Sequence, residues 1–167
     1  MGARLEYIMQ PIAFGFGTAI LAMVGTNWGA RQYARARAIA LTGVTTVAAV
    51  CGTIGVTVAI FPTLWLGLFS DDPDVFRVGG LYLHIVAPLY PLFGAGVTLY
   101  FASQGSGQVL RPVLAGTARL LFVVSGAVLV MQLGGPLPAI FAVVSMGLAV
   151  FGGLTAWVVH RANWSRA

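Results

Sequence analysis

Charged residues divide the chain into five long apolar stretches. Tyr7 to Ala30 carries no ionised residue, nor do Ala38 to Ser70, Val78 to Leu110 or Leu137 to Val159, and Pro112 to Met131 carries only Arg119. A helix needs about 20 residues at roughly 1.5 Å each to cross the hydrocarbon of a bilayer. Every stretch supplies them. The pattern predicts an all-α integral membrane protein with helices at about 7–31, 38–61, 78–103, 112–131 and 137–160. Two stretches exceed one span. In the second, Pro62 ends the helix, and Phe61 to Phe69 is expected to lie along the membrane interface with Trp65 at headgroup level. In the third, the run Ser103 to Gln108 makes the turn. The connections are short: a basic loop from Arg31 to Arg37, an acidic one from Ser70 to Asp74, and a turn of helix breakers from Gln132 to Pro138. Nothing in them marks a second domain, so residues 1–167 read as a single membrane domain.

Composition narrows the classes further. Hydrophobic types make up 59% of the 167 residues and charged types only 8%, with a mean hydropathy of +0.92. A soluble domain carries roughly 25% charged residues to cover its surface. The chain has no Lys; nine Arg stand against four acids, for a net charge of +5. A pI near 10.2 invites a nucleic-acid reading, but that needs a basic stripe on a soluble scaffold. Here the Arg residues stand between apolar blocks, and membrane lipid is the expected partner. Cys51, the single cysteine, makes neither an intrachain disulfide nor a metal cluster. The start Met1 to Glu6 has no cleavable signal pattern, and Glu6 occupies the position where myristoylation favours Ser or Thr.

The bases also assign sides. Antiparallel spans place the connections after helices one, three and five on one face. That face collects Arg31, Arg35, Arg37, Arg111, Arg161 and Arg166, with Arg119 about 10 Å deeper and within snorkelling reach. The other face has Arg4, Arg77 and all four acids, Glu6, Asp71, Asp72 and Asp74. Seven bases against two put the N-terminus outside and the C-terminus in the cytoplasm. An exported N-terminus without a signal peptide is accounted for by an odd number of helices upstream. The chain is therefore expected to be the C-terminal part of a longer protein, needing an N-terminal half in the same or a separate chain.

Candidate chemistry is sparse. Gly25 and Gly29 form a small-xxx-small pair on helix one, suited to close helix contact. Pro88 and Pro91 flank Tyr90 and bend helix three, which is tolerated where a helix lines a cavity or packs on protein. No acid falls within the five blocks, so no coupling carboxylate is evident, and His84 reads as a polar residue near the outer face. There is no metal-ligand cluster, phosphate loop or nucleophile elbow; Gly105-Ser106-Gly107 is a turn. No enzymatic activity and no cofactor are expected. Of the few polar groups within the spans, Asn27 on helix one and Tyr90 and Thr98 on helix three are the candidate substrate-cavity residues. Tyr90, Gly94, Thr98 and Phe101 share one helical face.

Three stretches resemble the second half of multidrug and toxic compound extrusion (MATE) transporters. Gly15-Phe16-Gly17-Thr18-Ala19, then Gly25-Thr26-Asn27-Trp28-Gly29-Ala30-Arg31 and Ala34-Arg35-Ala36-Arg37 are similar to the family's eighth helix and its basic loop. Leu68 to Val75 with Tyr82-Leu83 resembles the acidic loop before the tenth helix. Gln104-Gly105-Ser106-Gly107, Arg111-Pro112 and Arg119 resemble the Gly-rich turn, Pro and Arg that follow it. The order holds from about residue 5 to 160. The resemblance implies that the five blocks are helices eight to twelve of a twelve-helix transporter, most of one lobe. It also implies export of small cationic or lipophilic compounds in exchange for H⁺ or Na⁺, across the plasma membrane (the inner membrane in a bacterium). Arg31, Arg35, Arg37, Arg111 and Arg119 would fix the cytoplasmic face. Members with a coupling acid in the tenth helix carry it where Phe93 or Gly94 stands here, and others carry it in the first helix, so the coupling ion is expected to bind outside this chain. The alternatives are a related lipid-linked saccharide flippase, whose pyrophosphate would want a more cationic cavity than Arg119 alone provides, and a structural membrane subunit that transports nothing.

Overall fold

The computed structural model describes residues 4–161, and they form helices joined by short turns with no strand among them. In chain order these are α1 (Arg4–Gly29), α2 (Tyr33–Ile60), α3 (Pro62–Leu66), α4 (Pro73–Val86), a 3₁₀ turn (Ala87–Leu89), α5 (Tyr90–Gly105), α6 (Leu110–Gln132) and α7 (Leu137–Arg161). The α4–turn–α5 unit acts as one span, and the five spans are long and apolar enough to cross a membrane.

Local chemistry sets the helix ends. Three helices close with the same pair of backbone bonds, in which the residue after the cap adopts the left-handed conformation. After α5 it is Gly107 and after α6 it is Gly134, but after α1 it is Arg31, at φ 58°. There Gln32 N–H reaches the Asn27 carbonyl at 2.8 Å and Arg31 N–H reaches Trp28 at 3.0 Å. This tight closure shortens the connection to residues 30–32. Arg35 and Arg37, expected in a loop, lie instead in the first turns of α2. The third span starts at Pro73, five residues earlier than the apolar pattern predicts. Asp72 is its N-cap, accepting from Asp74 N–H at 2.9 Å, and Pro73 sits where its missing N–H costs nothing. Pro62 likewise opens α3, which turns Leu66 fully inward against Gly79.

The interior of the bundle is built around α5, which packs on α1, α2 and α7. Glycines permit that crowding. A Cβ at Gly94 would lie 2.9 Å from Cys51 Sγ on α2, one at Gly96 2.5 Å from the Phe151 ring on α7, and one at Gly105 2.6 Å from the Leu21 carbonyl oxygen on α1. Gly25 faces Gly105, whereas Gly29 has nothing near it, so only one member of the predicted pair is a contact. Because Gly25 meets Gly105, the turns after α1 and α5 share one end of the bundle. The outside is apolar: Leu114, Leu120, Leu121, Val124, Val128 and Leu129 project from α6. Those side chains suit hydrocarbon and would be costly in water.

Candidate functional site

Helix α6 leans on α7 and barely touches α5. A cavity of about 450 Å³ opens between α1, α5, α6 and α7. Phe14, Tyr100, Phe101, Pro112, Thr117 and Phe151 are among its walls. Its aromatic rings are organised edge to face: Phe14 meets Phe101 at 5.2 Å between centroids, and Tyr100 meets Phe101 at 5.8 Å. Gly17 on α1 leaves the space that the Phe101 ring occupies, and Gly96 does the same for Phe151. Its walls are almost entirely apolar, so a polar molecule entering it would lose hydrogen bonds to water without replacement. Its ring faces also attract cations.

Beside it lies a cluster that the apolar pattern concealed. Arg119 holds its guanidinium over the Phe151 ring, 5.6 Å from the centroid, and its stem passes Gly147 of α7. Glu6 and Tyr82 lie within its longer-range electrostatic reach, and no ion pair joins Arg119 to an acid among the described residues. Glu6, outside the first apolar block, stands within the first turn of α1 because that helix begins at Arg4. The Tyr82 hydroxyl of α4 donates to Glu6 Oε1 at 2.5 Å. Tyr90 is fully buried (0% exposed), with its hydroxyl on the side of the Tyr82 hydroxyl. It interacts with both Glu6 and Tyr82. Three spans thus bring four polar groups to a shared region: Glu6 from the first, Tyr82 and Tyr90 from the third and Arg119 from the fourth. The acid lay one residue outside an uncharged block, and acids favour the first turn of a helix, so Glu6 could have been found that way. Its pairing with Tyr82, 76 residues away, had no sequence signal.

The predicted cavity residues are not brought together. Asn27 gives its amide Nδ2 to the Met23 carbonyl of its own helix at 2.7 Å. Thr98, also 0% exposed, donates to Gly94 at 2.8 Å. Tyr90 and Thr98 lie in the interior of the bundle, and neither borders the aromatic chamber, which is lined on α5 by Val97, Tyr100 and Phe101. His84 donates from Nδ1 to the Gly80 carbonyl at 2.7 Å. Arg31, Arg35 and Arg37 are exposed near one end of the bundle. Arg119, expected to reach toward that same end, is half-buried with its guanidinium over Phe151. Arg111 is the second residue of α6; its side chain, that of Arg161, and all of Arg166 lie outside the described residues.

A family model for MatE matches residues 1–129, ending within α6. No curated protein matches the chain, and no solved structure does.

Proposed function

The chain belongs to the MatE family of membrane transporters, and on that premise we propose that it is part of a secondary active efflux antiporter. Its substrates are small cationic or lipophilic compounds, moved outward in exchange for H⁺ or Na⁺. Beyond the family match, the observation that carries this reading is the aromatic chamber between α1, α5, α6 and α7. Phe14, Tyr100, Phe101 and Phe151 offer ring faces and almost no hydrogen-bonding groups. This is the surface a delocalised, poorly hydrated cation prefers and a hydrated ion does not.

The transport cycle requires a complementary helical lobe, from the same protein or from a separate chain, so that the chamber opens alternately to the two sides. The Arg-rich end carrying Arg31, Arg35 and Arg37 faces the cytoplasm, and the Asp72 end faces outward. The protein resides in the plasma membrane, with lipid around the apolar face of α6. A chemistry of protein groups and ion gradients needs no bound cofactor.

The test is ethidium efflux from drug-sensitised cells expressing this chain with and without a candidate complementary half. Efflux that needs both and collapses when the ion gradient is dissipated supports the reading. Absence of efflux with both correctly inserted would leave a membrane subunit without this activity.

A further inference from the structure

Resting on the transporter reading above, we propose that the aromatic chamber opens sideways to the bilayer, and that an acyl chain of an anionic phospholipid occupies it until the transported compound displaces it. Three observations carry this. First, the mouth lies on the outside of the bundle. Phe14 on α1 and Val113 and Leu120 on α6 line the chamber and are exposed as well. Their neighbours Leu114 and Leu121 are exposed too, so the lining passes directly into the hydrocarbon-suited face of α6. Thr117, also in the lining, gives its hydroxyl to the Val113 carbonyl of its own helix at 3.0 Å.

Second, the depth matches one leaflet. On α6 the lining runs from Pro112 to Leu120, about 12 Å of helix at roughly 1.5 Å per residue. On α5 it lies between Val97 and the helix end at Gly105, likewise about 12 Å. Half of a hydrocarbon core of about 30 Å is about 15 Å. The chamber therefore reaches from one end of the bundle to about the midplane, the depth of a single acyl chain.

Third, that end is the basic one. Ile20, Val24, Ala36, Ala40 and Ala102 form one packed cluster. It holds Arg35 and Arg37, on either side of Ala36, near the level of Ala102, the residue after the Phe101 wall. Both are exposed, as is Arg31. All four acids stand at the other end: Glu6 in the first turn of α1, and Asp71, Asp72 and Asp74 around the start of α4. A lipid phosphate here meets positive charge with no carboxylate to repel it. An acyl chain gains little by leaving hydrocarbon for an apolar chamber, so the headgroup sets the preference and the chain exchanges readily. A delocalised cation gains the ring faces besides, and displaces it.

The experiment is native mass spectrometry of the full chain in detergent, exposed to phosphatidylglycerol or to phosphatidylcholine with the same palmitoyl and oleoyl chains. Glycerol 3-phosphate serves as a headgroup without a chain. Wild type is expected to retain phosphatidylglycerol at least about fivefold more than phosphatidylcholine, the order of one Arg near an anionic surface, and to retain no glycerol phosphate. R31Q/R35Q/R37Q should retain the two lipids equally. G116L, at a position where a Cβ has only a Phe151 ring atom 4.0 Å away, fills the chamber and should lose both lipids. V113W, at an exposed position, should do the same by closing the mouth. Tetraphenylphosphonium should displace the lipid from wild type. Lipid retention unchanged in G116L and V113W, or a lipid-free dimer, would overturn the inference while tetraphenylphosphonium binding kept the chamber reading intact. Loss of the lipid on adding a complementary half, with no tetraphenylphosphonium present, would show a protein helix as the occupant and overturn it too. Failure of the lipid-free chain to bind tetraphenylphosphonium would overturn the transporter reading of the chamber, and the displacement with it.

Discussion

The Ser145 hydroxyl of α7 donates to the Ile85 carbonyl of α4 at 2.9 Å, crossing between helices where the third span is broken. The break comes from Pro88 and Pro91, which have no N–H to continue the ladder. The chain passes through a single 3₁₀ turn, and Tyr90 N–H reaches back only to Ala87. Carbonyls near such a break need other donors. Gly55 of α2 meets the turn from another side, where its lack of a side chain admits the Ala87 carbonyl. The kink is therefore held from α7 and α2 together, and it sets where Tyr82 and Tyr90 stand.

Ser145→Ala should destabilise the bundle by about 1 kcal/mol, since interhelical hydrogen bonds in membranes have modest net worth. Unfolding in detergent followed by helical circular dichroism measures it. A loss no larger than that of an exposed control such as Thr117→Ala would show that Ile85 finds another donor.

Gly105→Ala should cost more. The added methyl would stand 2.6 Å from the Leu21 carbonyl oxygen and 3.1 Å from Gly25 N. These are backbone atoms that cannot rotate away, so α1 and α5 must separate. A cost of about 1–3 kcal/mol is expected. Gly29→Ala, at a position with open space around it, should be neutral or slightly stabilising in the same assay.

Arg31→Gly should stabilise the fold by about 1 kcal/mol, the order of the penalty for an L-residue in the left-handed conformation. Glycine already occupies the equivalent positions at 107 and 134. Thermal unfolding of the variant reports the sign. A lower midpoint would mean that the Arg31 side chain contributes more than its backbone costs.

Phe14→Leu removes an aromatic wall from the chamber at a half-exposed position where size is roughly kept. Tetraphenylphosphonium binding should weaken about 2- to 5-fold, corresponding to roughly 0.5–1 kcal/mol of cation–ring attraction at a partly exposed site. Phe14→Trp should hold or strengthen it. Equal affinities across the three rule out ring faces as the source of selectivity.

The all-helical class and the number of spans were legible in the amino-acid sequence. A helix in lipid must satisfy its own backbone, so apolar length alone is enough to identify it. The turns were legible because Gly107, Gly134 and Pro62 have few other uses; the Asp72 cap and Pro73 were as readable, yet the apolar pattern placed that helix start too late. Family membership came from ordered motifs such as Gln104-Gly105-Ser106-Gly107 and Arg111-Pro112. Which face of each helix turns inward was not legible. In water, an apolar stripe marks the buried side; here α1, α2 and α5 are apolar all round, since lipid is as apolar as the protein interior. Tyr90 and Thr98 could therefore be placed on one helical face, but nothing local said that this face is covered by α2 and its neighbours. The chamber, the ring contact of Arg119 and the bond between Tyr82 and Glu6 exist only because glycines at 94, 96 and 105 let α5 sit at the centre. That arrangement depends on steric fit between helices distant in sequence, which the tertiary structure alone decided.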